Sequence, residues 1–69
     1  MSDVQGDPIL RYFGYKHLPD NLMSVSMPFA HLADLIVSTI PRNPERTVAL
    51  RKLLESKDAA VRAALPEVA

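Results

Sequence analysis

The stretch NPERTVALRKLLESKDAAVRAALP, residues 43–66, reads as one long helix with its start and stop signals in place. Asn43 is a suitable N-cap, Pro44 fits the first helical position, where its missing amide costs nothing, and Glu45 sets a carboxylate at the positive end of the helix dipole. The helix runs from about 44 to 64, until Leu65-Pro66 ends it, a length of roughly 31 Å at 1.5 Å per residue. Arg51, Lys52, Glu55, Asp58 and Arg62 share its polar side, and Asp58 and Arg62 stand four apart in the order that contributes ~0.3 kcal/mol. The other side carries two adjacent apolar stripes, Ala49/Leu53/Ala60/Ala64 and Leu50/Leu54/Val61/Leu65. One partner helix covers only one of them.

Upstream, Pro41-Arg42-Asn43-Pro44 is a tight connector, and the preceding residues predict a shorter helix at about 26–40. Ser26 is the expected N-cap and Pro28 a first-turn residue, with Phe29, Leu32, Ala33, Ile36 and Ile40 on the apolar face and His31, Asp34 and Ser38 opposite. The fold class is therefore all-α, an antiparallel helical hairpin. Residues 1–10 carry no periodicity and read as a flexible N-terminus, 11–25 as an aromatic-rich arm of extended or turn-like backbone, and 66–69 as a tail. One hairpin domain spans 11–65. Two helices do not enclose a core, and a chain below ~70–80 residues rarely builds one worth more than ~3–5 kcal/mol unaided. The second stripe, in a chain that is 48% hydrophobic, predicts a homo-oligomer.

The 69 residues hold eight Lys/Arg and eight Asp/Glu, a formal net charge of +0, so the overall balance does not call for a nucleic-acid duplex. There is no cysteine, which excludes disulfides, thiolate catalysis and Cys-based zinc, and two histidines are a poor basis for a metal site. No metal and no cofactor is expected. The start MSDVQGD has no basic run with an apolar stretch behind it, and no window approaches the ~18–20 uncharged apolar residues of a membrane span. The expectation is a soluble, cytoplasmic protein.

Three of the four aromatics, Tyr12, Phe13 and Tyr15, crowd around Gly14 in RYFGYKHLP, residues 11–19. They form either a hydrophobic arm packed on the hairpin or a neighbouring subunit, or a platform for nucleobases, on which stacking contributes ~1–3 kcal/mol per base. His17 sits beside them, as a surface residue or as a donor to phosphate or ribose. Arg46 and Lys57 project onto the apolar face of the second helix, a costly place for charge. They either reach water or a carboxylate such as Asp20 or Asp34, or hold a phosphate between subunits. His31 and Asp34 read as a solvated helix surface. The serines lack a nucleophile context and the carboxylates a paired spacing, so no catalytic residues are expected and the protein reads as no enzyme.

The succession FGYKHLP, then PFAHLADLIVSTIP, then NPERTVALRKLLESKDAAVRAAL resembles the small helical-hairpin family of phage anti-defence proteins, the sponges of CBASS and Thoeris signalling. The likeness covers residues 11–65, and ERTVALRKLLESKDAAVRA is its most specific part. It implies a homo-oligomer, hexameric in the best-described members, that holds cyclic dinucleotides such as cyclic GMP-AMP, or cyclic trinucleotides, between protomers without cleaving them. The implied setting is immune evasion in the bacterial host cytoplasm. By motif, Tyr15 matches the base-stacking aromatic, with Phe13 beside it, His17 and Pro19 the His-Pro element, Arg46 the start of the second helix, and Arg62 an arginine of the trinucleotide pocket. The double stripe by itself is equally compatible with an oligomerisation or protein-interaction module that has no nucleotide ligand.

Overall fold

The structure, a computed structural model, describes residues 8–65. All regular structure among them is helical: a 3-10 helix at Pro8–Phe13, then α1 at Asp20–Thr39 and α2 at Pro44–Ala63. The two long helices pack on each other as in a helical hairpin, and the 3-10 helix packs on both.

α2 begins as its sequence dictates. The Asn43 side chain accepts a 2.8 Å hydrogen bond from the Arg46 amide, with Pro44 in the first turn behind it. The helix ends at Ala63, one residue from the expected 64.

α1 differs from expectation at its start. It begins at Asp20 rather than near Ser26, with Pro19 at the N-cap and its carbonyl accepting from the Leu22 and Met23 amides at 3.0 and 2.8 Å. Asp20 in the first turn suits the helix dipole. Ser26 and Pro28 thus lie inside the helix, where a proline removes one backbone hydrogen bond. Packing overrides that local cost, because continuing the helix backward puts Ser26 onto the buried stripe of Ala30, Ala33 and Val37.

That stripe is also rotated from the expected one. Of Phe29, Leu32, Ala33, Ile36 and Ile40, only Ala33 is buried, and Leu32 and Ile40 are 44% and 39% exposed. The contact face is made of small residues, which allow the helix axes to approach while the larger side chains stay at the edge or outside. In length and composition α1 also meets the requirement of a membrane span, with a mean hydropathy of 1.3 over its most apolar window. The expectation that no window approaches such a span therefore does not hold on mean hydropathy, although His31 and Asp34 interrupt the helix.

The core consists of Phe13, Ala30, Ala33, Val37 and Leu50, flanked by Ile9, Leu10, Tyr15, Phe29, Ile36, Leu53 and Leu54. Phe13 comes from the 3-10 helix. The third element therefore lies in a stretch expected to be a loose terminus up to residue 10 and extended or turn-like from 11, and it packs on both long helices. Residues 1–7 and the 66–69 tail lie outside the described residues.

Candidate functional site

The 3-10 helix and the segment after it turn back over the C-terminal half of α2. Gly14 donates to the Arg11 carbonyl at 3.4 Å and Leu18 to that of Tyr15 at 3.0 Å, so the chain bends twice within eight residues of Arg11. An open groove of about 360 Å³ results, lined by Arg11, Tyr12, Gly14, His17 and Leu18 on one side and by Lys57, Asp58, Val61 and Arg62 on the other. The α2 residues are spaced so that Lys57 and Val61, and Asp58 and Arg62, stack one turn apart.

Three side chains of fixed positive charge and one imidazole meet here against a single carboxylate. The Lys57 ammonium lies 3.0 Å from the Asp58 carboxylate; its side chain is largely covered, that of Asp58 about half exposed. The i,i+4 pairing expected for Asp58 with Arg62 does not form, and among the described residues no carboxylate lies within ion-pair distance of Arg62. The Arg11 guanidinium sits 5.2 Å from the centroid of the Tyr12 ring and donates to its hydroxyl at 3.3 Å. Tyr12 is 53% exposed, so a ring face remains open to a ligand. The groove is an anion-attracting cleft with one accessible aromatic.

The six residues expected to contact ligand separate in space. His17 and Arg62 line the groove, although they lie 45 positions apart in the chain. Phe13 is 3% exposed, its ring taken up by the core, so it has no face to offer. Tyr15 is half-buried and meets His31 edge-on, ring centroids 6.4 Å apart and planes at 87°. His31 and Asp34 are exposed, as expected of a solvated helix face, and His31 adds this edge-on ring contact. Pro19 caps α1, outside the groove.

Arg46 stands in the first turn of α2, against the end of α1. It is 5% exposed, and its guanidinium donates to the carbonyls of Val37 and Ile40 at 3.3 and 3.0 Å. Those are carbonyls of the last turn of α1, left without helical partners where Pro41 stops the chain. The charge is met by backbone dipoles at the negative end of α1.

Arg11 and Tyr12 line the groove with α2 although no spacing in the sequence joins them to that helix. The available signal was the position of Phe13: once its ring enters the core, Tyr12 beside it must face outward. Among the described residues no three His, Asp or Glu side chains are placed to hold a metal ion. Comparison with family models, curated proteins and solved structures finds no match for this chain.

Proposed function

We propose that the protein binds and sequesters cyclic oligonucleotide second messengers, cyclic dinucleotides or trinucleotides, between protomers of a homo-oligomer and leaves them uncleaved, thereby countering CBASS-type antiphage signalling in the bacterial cytoplasm. The observation that carries this reading is the groove in which Arg11, His17, Lys57 and Arg62 surround an exposed Tyr12. Phosphodiesters demand fixed positive charge and bases demand flat surfaces, and this is where the chain provides both. Its volume of about 360 Å³ lies at the lower end of the ~300–1,000 Å³ of small-molecule sites, so a ligand of two or three nucleotide units extends past one protomer. A second subunit completes the enclosure. The aromatic-rich N-terminal arm acts as the wall of the site. The resemblance of residues 11–65 to the sponge family supplies the ligand class and the physiological setting.

A second reading, an oligomerisation or interaction module without a nucleotide ligand, is favoured by the exposed Leu32 and Leu35 of α1 and by the structural occupation of Phe13 and Arg46. A thermal-shift screen separates the two. A ligand present at 100 times its dissociation constant stabilises by ~2.7 kcal/mol, which for a chain of this size raises the melting temperature by more than about 8 °C. The expected result is a shift with a cyclic di- or trinucleotide, and chromatographic recovery of that ligand intact after the protein is denatured. A flat screen across both ligand classes favours the interaction module, and linear product in excess over protein turns the reading toward a hydrolase.

A further inference from the structure

The buried stripe of α1 is Ser26, Ala30, Ala33 and Val37. Beside it runs a second apolar row, Leu22, Val25, Phe29, Leu32 and Ile36, with steps of three, four, three and four residues. At ~100° per residue this row is centred about 90° round the helix from the buried one. Phe29 and Ile36 touch the core with part of their surface, whereas Leu32 is 44% exposed, and Leu35 next to the row 54%. Only 22% of the most apolar window of α1 is buried by the rest of the chain.

We infer that this row is a seam that packs against the same row of a second copy of the chain, an isologous contact of α1 on α1. The inference rests on the homo-oligomer in the proposed function and names its interface. Alternating three and four spacing is the pattern that interdigitates knobs into holes, and a helix carrying it is complementary to its own copy. The charge distribution selects the occupant. On its open side the seam is flanked by Asn21, Pro28, Leu35 and Thr39, none of them charged, and on the other by the stripe already buried within the protomer, so no charge of α1 stands against a second copy. The ionisable residues of α1, Asp20, His31 and Asp34, lie on the opposite side of the helix. A partner recognised by charge finds nothing to pair with along the seam. A lipid surface fits no better: helices that lie in a membrane interface flank their apolar face with Lys and Arg, and α1 has neither.

The test uses the full chain. Light scattering follows the parent, Leu32→Glu on the seam and Ser38→Glu on the opposite face, with circular dichroism as the check on folding. Since the chain contains no cysteine, a single Leu32→Cys variant reports proximity of α1 to its copy by disulfide formation. The expected outcome is an oligomeric parent, a midpoint of dissociation at least about tenfold higher in concentration for Leu32→Glu at unchanged helicity, no change for Ser38→Glu, and a cross-linked Leu32→Cys dimer. If Leu32→Glu keeps the parent mass and Leu32→Cys stays uncross-linked while the parent is oligomeric, the seam is overturned and the oligomer stands. A monomeric parent overturns both. Co-flotation of the parent, and not of Leu32→Glu, with phosphatidylcholine vesicles assigns the face to lipid and likewise overturns the inference.

Discussion

The Arg46 guanidinium lies 3.0 Å from the Ile40 carbonyl oxygen and 3.3 Å from that of Val37, so the first turn of α2 closes the end of α1. The same residue's amide is held by Asn43, which ties both helix termini and the connector into one cluster. Hydrogen bonds to a charged group contribute ~1.5–3 kcal/mol, and their loss also leaves the carbonyls unpaired in a covered site. Arg46→Ala is expected to lower stability by about 2–4 kcal/mol, a large share of what a domain this small possesses. Urea titration checks it: the midpoint falls with an unchanged slope, and a midpoint equal to the parent's removes the clasp.

Ser26 is fully buried and its hydroxyl has no hydrogen-bond partner. A buried unsatisfied hydroxyl carries a desolvation penalty of ~1–3 kcal/mol, and alanine fills nearly the same volume beside Ala30 and Ala33. Ser26→Ala is expected to stabilise the fold by about 1 kcal/mol, seen in calorimetry as a melting temperature higher by about 4–8 °C. A lower melting temperature would show that the hydroxyl is satisfied by a group such as ordered water.

What the sequence made legible followed from signals that are local and strong. The Asn43-Pro44-Glu45 start fixed α2 because cap, proline and carboxylate all agree there, and Pro41 fixed the end of α1. The start of α1 was misread because Ser26 and Pro28 imitate a cap and a first turn, while the competing force, burial of a small-residue stripe against Leu50, is tertiary. The same bias toward large apolar residues hid Ala30 and Val37 as core. At the candidate site, His17 and Arg62 were singled out separately, but their meeting depends on where Phe13 inserts, and no spacing rule connects positions 17 and 62.

Pro28 lies well inside α1 with its ring exposed, so it forgoes a backbone hydrogen bond and gains little from burial. A proline in a helix interior costs ~3 kcal/mol relative to alanine, part of which is recovered because it also restricts the unfolded chain. Pro28→Ala is expected to raise stability by about 1–3 kcal/mol, measured by denaturant titration. A destabilised variant with intact helicity would mean that α1 requires the bend or the side chain at this point.

Under the proposed function the groove favours Tyr12 for stacking on a base and the motif resemblance favours Tyr15, and mutation decides between them. Tyr12 is open to solvent beside Arg11 and opposite Arg62, whereas Tyr15 is half-buried and edge-on to His31. For the cyclic nucleotide that scores in the thermal-shift screen, Tyr12→Ala is expected to remove ~1–3 kcal/mol of stacking per base contacted. Arg62→Ala is expected to remove ~1.5–3 kcal/mol of charge-assisted contact, about tenfold or more in dissociation constant. Neither should alter the melting temperature of the ligand-free protein, since both side chains are exposed and Arg62 has no carboxylate partner among the described residues. Tyr15→Ala, by contrast, should lower that melting temperature through lost packing against the core. Isothermal calorimetry in which Tyr15→Ala abolishes binding while Tyr12→Ala and Arg62→Ala bind as the parent does would move the site out of the groove and onto a surface that only a neighbouring subunit can complete.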